Sequence, residues 1–217
     1  MGVMMKSNWR YVLVALLAAI VLGGALSGTI MSLVEQPSYT VVKSLDDVEI
    51  RDYPPMVVAE VEVAGERRAA INAGFRLLAD YIFGNNSPAQ KIAMTAPVTQ
   101  QAGEKIAMTA PVSQQATGAS WKVRFVMPSR YTLEALPKPN NASVKLVPVP
   151  AERFAAIRFS GLADDNSIAR FKLRLFERLA EQGLTPEDET VMAFYNPPWT
   201  LPFLRRNEIL VKLKTDD

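Results

Sequence analysis

Apolar positions recur along the chain with two different spacings. Between residues 66 and 83, Ile71, Gly74, Phe75, Leu78, Ala79 and Ile82 fall at i, i+3, i+4 intervals, and Gly84 follows as a stop. Between 167 and 182 the same spacing joins Ile168, Phe171, Leu175 and Leu179; Asp165 or Asn166 is placed to cap the start, and Gly183 with Pro186 ends it. Both stretches predict helices. The segments 48–53, 56–63, 121–127, 144–149, 154–160, 191–195 and 208–213 are short, rich in β-branched and aromatic residues, and bounded by Pro, Asn or Gly, as strands are. The order is strands, helix, strands, then the same again. This predicts an α+β domain with internal pseudo-twofold symmetry: a mostly antiparallel curved sheet or barrel flanked by two helices.

A different pattern precedes the domain. Residues 11–34 contain no charged side chain, and Lys6 and Arg10 lie just before them. As a helix this run spans about 36 Å, enough for a hydrocarbon core of about 30 Å. It reads as an N-terminal transmembrane anchor, or as a signal segment cleaved after the small residues near Ala25–Ser27. The preceding cations place the N-terminus in the cytoplasm and the domain on the non-cytoplasmic side, membrane-anchored if the run is kept and secreted or periplasmic if it is cut. The expected organisation is 1–34 anchor or signal, 35–38 linker carrying Pro37, and 39–217 the folded domain.

Composition narrows the chemistry. The chain has no cysteine and no histidine, which removes disulfides, thiolate ligands, the usual triad base and the commonest haem ligand. Of its 24 basic residues, Lys6 and Arg10 precede the apolar run, leaving 22 against 22 acids. A neutral domain lacks the electrostatic footprint of a nucleic-acid binder. The doublets Asp46–Asp47 and Asp164–Asp165 read as turn and cap residues rather than acid–base pairs, and no phosphate loop is present.

The stretch KIAMTAPV occurs twice, at 91–98 and 105–112. Read as strands joined by a hairpin loop, the copies put Met94 and Met108 on the inward face, and Thr95 and Thr109 on the other. The methionines then either fill core space or line a cavity for a flat apolar ligand.

This repeat, taken with VEIRDYPP (48–55), GFRLLADYIFGNN (74–86), RFSG (158–161) and YNPPWTLPFLRRNEI (195–209), resembles the SOUL haem-binding protein family over almost all of residues 38 to 214. The resemblance implies a distorted antiparallel β-barrel with two helices. It also implies non-catalytic binding of haem b or free porphyrin between the first helix and the loop before the last strand. Here that helix face carries Phe75, Leu78 and Ile82. The loop offers Tyr195, Trp199 and Phe203 as aromatic surface. Arg205 and Arg206 either meet the propionates or pair with Glu208 and other surface acids. A histidine ligand proposed for some members has no counterpart here, and Asp80 stands where a helix cation is linked to propionates in the family. The alternative is a module for another lipophilic small molecule or a protein partner.

Overall fold

The computed structural model describes residues 34–87 and 104–214. The apolar run before Val34, and the first repeat copy with Met94, Thr95 and the expected hairpin loop, lie outside the described residues. Among those described, no helix is long and apolar enough to cross a membrane.

The elements are β1 (Thr40–Leu45), β2 (Val48–Tyr53), β3 (Met56–Ala64), α1 (Arg67–Ile82), β4 (Asn86–Ser87), β5 (Val112–Thr117), β6 (Ser120–Val126), β7 (Lys138–Pro139), β8 (Lys145–Val149), β9 (Glu152–Phe159), α2 (Asp165–Glu181), β10 (Pro186–Phe194) and β11 (Asn207–Leu213). Leaving aside the short β4–β7 pair, two strand–helix–strand–strand units follow one another, β3-α1-β5-β6 and β9-α2-β10-β11. The sheet order is β1-β2-β9-β11-β10-β5-β6-β3-β8, and every pairing in it is antiparallel. Each unit contributes its three strands as a block, and the blocks meet at β10–β5. The strands leading into the units are exchanged: β2 runs into β3 but pairs with β9, and β8 runs into β9 but pairs with β3.

The sheet does not close into the expected barrel; it ends at β1 and β8. Each helix covers the apolar face of its own half, so that face is buried without closure. Leu78, Tyr81 and Ile82 of α1 pack on Ala59, Val61, Val123 and Phe125 of the sheet. Leu175 and Leu179 of α2 pack on Val48, Ile50, Ile157, Ile209 and Val211. Strand alternation sends Ala156 and Leu210 to the opposite face, where they join Tyr53, Ala110, Ala193 and Tyr195, with Val34 and Tyr39 packed against them.

Helix α1 starts at Glu66, whose carboxylate accepts the backbone N–H groups of Arg68 and Ala69 at 3.0 and 3.1 Å. The cap of α2 is Asp164, which accepts the Ser167 N–H at 2.8 Å, not the expected Asp165 or Asn166. Asp164 is the last residue with extended dihedrals, and only there can a side chain turn back onto the first free N–H groups.

The second repeat copy departs from its expected strand. Residues 104–111 are irregular, and β5 begins only at Val112. Their amides are taken elsewhere: Ile106 donates to the Ile82 carbonyl at 2.8 Å, Ala110 to that of Glu35 at 3.0 Å, and Pro111 has no N–H. Alternation fails accordingly. Thr109, Ala110 and Pro111 are buried in succession, and Met108 packs partly buried against the α1 core. Thr109, expected to face outward, donates its hydroxyl to the Val126 carbonyl. Thr109→Ser keeps that bond and should melt near the parent, whereas Thr109→Val removes it and should cost about 1 kcal/mol in urea denaturation.

Candidate functional site

The loop between β10 and β11, residues 195–206, is held from beneath. Tyr195 N–H donates to the Arg206 carbonyl at 3.2 Å, and Arg206 N–H to Asn196 Oδ1 at 2.6 Å. Arg205 turns its guanidinium inward, donating to the carbonyls of Thr200, at 2.8 Å, and Pro198. A single 3-10 turn, Pro202–Leu204, completes the loop.

At its base is a buried charge network on the face away from the helices. Glu208, on β11, accepts two hydrogen bonds from Arg51, at 2.8 and 3.2 Å. It accepts two more from Arg206, at 3.0 and 2.8 Å, and one from the Tyr195 hydroxyl at 2.9 Å. The Arg206 guanidinium also lies 3.9 Å from the Tyr195 ring centre. Burial pushes the Glu208 carboxyl up, but the hydrogen bonds and charge of Arg51, aided by Arg206, outweigh it and leave the pKa below the ordinary glutamate range. The Tyr195 phenol is raised by burial and by the Glu208 charge.

The sequence-predicted site residues therefore divide. Leu78 and Ile82 are fully buried on the sheet-facing side of α1, in a different core cluster from Tyr195. Phe75 is half-exposed on α1 and sits edge-to-face on Phe125, ring centres 5.4 Å apart. Tyr195 and Arg206 are drawn together by Glu208, and Arg205 is committed to loop carbonyls. Trp199 and Phe203 are 70% and 69% exposed. Leu204 is exposed beside them, and so is Leu162, brought close because Gly161 N–H donates to the Pro202 carbonyl at 2.8 Å.

A cavity of about 550 Å³ opens elsewhere, at the ends of β3 and β8. It is walled by residues 35–38, 54–57 and 126–129, with Thr109, Tyr131, Pro148 and Val149. Pro37, Pro54, Pro55, Pro128 and Pro148 make much of the wall stiff and free of N–H donors. Met56, Val57, Val126 and Met127 add apolar surface. At the rim, Glu35 Oε1 accepts the Ser129 N–H at 2.7 Å, which holds that carboxyl below the usual glutamate range. Arg130 lies over the Tyr131 ring at 4.9 Å, and the Tyr131 hydroxyl donates to Glu104 at 2.6 Å. Reading the sequence missed this cavity. Its walls come from five separate segments, and the only local signal was the Pro54–Pro55 doublet. Among the described residues no cluster of three or more acidic, histidine or cysteine side chains is placed to hold a metal ion.

Solved structures share this fold at low identity. The C-terminal domain of EcmrR superposes with a TM-score of 0.53 at 10% identity, covering 82% of this chain and 99% of that one. A protein described as a hydrolase from Listeria innocua gives 0.54 at 10% identity, covering 77% and 92%. EcmrR in complex with DNA gives 0.51 at 10% identity, covering 78% of this chain and 57% of that one. A sequence search of curated proteins finds no match. The family model for SOUL heme-binding protein matches residues 34–212, most of the chain and nearly every element above, and the chain belongs to that family.

Proposed function

We propose that this chain is a membrane-tethered, non-catalytic binder of a tetrapyrrole, and that the macrocycle enters the proline-walled cavity. One observation carries the reading: a chain of the SOUL heme-binding family holds, at the ends of β3 and β8, an apolar cavity within the size range of small-molecule sites. Its lining fits a flat apolar ring. It fits a histidine-ligated iron less well, since the chain has no histidine and the donors around the cavity are the thioethers of Met56 and Met127, the Tyr131 phenol and the Glu35 carboxylate. Binding would then draw on buried apolar area, worth about 25 cal/mol per Å², more than on an iron bond. Arg130, between the lining residues Ser129 and Tyr131, is a rim cation available to a propionate. A bound haem would supply its own redox and gas-binding chemistry; the side chains named here would only hold and shield it.

The linker residues 35–38 form one wall, so the cavity mouth lies next to the end of the apolar run. That placement favours a ligand dissolved in the bilayer, whether tetrapyrrole or another lipophilic molecule, over a nucleic acid, for which the neutral domain offers no footprint. A second reading puts the macrocycle on the β10–β11 loop, favoured by the exposure of Trp199 and Phe203.

Titration of the detergent-solubilised full chain with haemin and with iron-free protoporphyrin tests both. Ser38 is exposed on the cavity wall, and Ser38→Phe fills the opening without burying a polar group. It should weaken both ligands about tenfold or more, equivalent to 1.4 kcal/mol or more. Arg130→Ala should weaken both by less, and Trp199→Ala should leave both unchanged. Loss of binding in Trp199→Ala alone would move the ligand to the loop. No saturable binding of either porphyrin by the parent would leave the second class of function, a different lipophilic ligand or a protein partner.

A further inference from the structure

We propose that the β10–β11 loop is a membrane-docking device: Trp199, Phe203 and Leu204, with Leu162 beside them, rest in the headgroup region of the bilayer that holds the chain's own N-terminal apolar run. This rests on the reading of residues 11–34 as a retained anchor. Single exposed apolar side chains are ordinary on a protein surface, but four on adjoining turns are not.

Their exposure is built in. Arg205 and Arg206 spend their donors inside the loop and on Glu208, while Pro197 and Thr200 are buried, so the backbone is pinned and the aromatic side chains are left facing out. The acids nearest to Leu162 are already committed. Asp164 caps α2, and Asp165 pairs with Arg67 at 2.7 Å.

The occupant follows from where the apolar run ends. Val34 packs on the domain against the Tyr53–Tyr195 cluster. Glu35 is held by the Ala110 and Ser129 amides, and Gln36 Oε1 accepts from Arg206 at 3.0 Å. Two residues span at most about 7 Å, so the last residue of the apolar run lies within that reach of Gln36, which touches the base of this loop. No slack separates the end of that run from the domain. A tryptophan and a phenylalanine at that height match the interfacial preference of aromatic rings, whose burial there is about 5–10 Å deep.

The chain has no native cysteine, so Leu204→Cys gives a unique attachment point for an environment-sensitive fluorophore. Ala116, exposed at the end of β5 away from the loop, gives the control. The labelled full chain is reconstituted in phosphatidylethanolamine–phosphatidylglycerol vesicles with brominated acyl chains. The label at 204 should be quenched severalfold more than the label at 116. Adding Trp199→Ser and Phe203→Ser should bring it to the control value. Equal quenching at both positions in a chain that resists carbonate extraction would overturn the docking proposal and leave the anchor standing. Release of the chain by carbonate would overturn both. Shielding of the 204 label from aqueous iodide without bromolipid quenching would mean that protein covers the loop, which also overturns it.

Discussion

Glu208→Ala is expected to destabilise the domain by about 3–5 kcal/mol, the range for stripping one partner from a buried ion pair. The carboxylate has no exposed surface, and Arg51 beside it is 3% exposed. Removing Glu208 leaves Arg51 with Glu49, at 2.7 Å, as its remaining acid partner, leaves Arg206 with Gln36 alone, and leaves the Tyr195 hydroxyl without its acceptor. The uncompensated charge, more than the lost hydrogen bonds, sets the size of the effect. The same network fixes a pH dependence. The folded-state pKa of Glu208 lies below the ordinary glutamate value. Its stabilising contribution is therefore complete above the ordinary value and lost as pH falls through the lower folded value. Urea midpoints measured from neutral to acid pH should fall for the parent in that window and flatten for Glu208→Gln, which starts from lower stability at neutral pH. A Glu208→Ala protein that melts with the parent at neutral pH would show that the network is not what holds β2, β11 and the loop base together.

Much of the fold was legible from spacing. The bounds of β2 match the expected 48–53, and α1 differs by a residue at each end, because the apolar rows there coincide with real burial. β1 was missed because almost all of it is exposed at the sheet edge, leaving no alternation to read. The barrel was overread for a related reason: alternation says which face is buried but not whether a helix or a closing strand buries it. The second repeat copy misled because its alternation was taken for a strand, whereas Ile106 and Ala110 give their amides to α1 and the linker instead of a ladder. At the candidate site, pairing of Arg206 with Glu208 was one of two open readings, and that pair is present at 2.8 Å. The inward course of Leu78 and Ile82 was implicit in their helical spacing. The cavity was beyond reach, since nothing local records that residues near 37, 55, 128 and 148 converge.

Gly74→Val should cost about 3 kcal/mol, at the upper end of the range for overpacking a core. Gly74 is on the buried face of α1, where the helix crosses β6. A Cβ built there would lie 2.6 Å from Val123 Cγ2 and 2.7 Å from Val123 Cβ. Val123 is fully buried, on a strand paired on both sides with β3 and β5, so it has nowhere to retreat. The helix must lift instead, opening the contacts of Leu78, Tyr81 and Ile82 beneath it. Gly74→Ala should cost less, because alanine gains about 1 kcal/mol of helix propensity over glycine against the same clash. The crowding can be tested with Val123→Ala, which removes Cγ2 but keeps Cβ, so the relief it gives is partial. If crowding at this crossing is responsible, Gly74→Ala should be less harmful in the Val123→Ala background than in the parent, a coupling of about 0.5–3 kcal/mol in a double-mutant cycle. Additive losses would show that the Val123 methyl groups are not what crowds the crossing of α1 and β6.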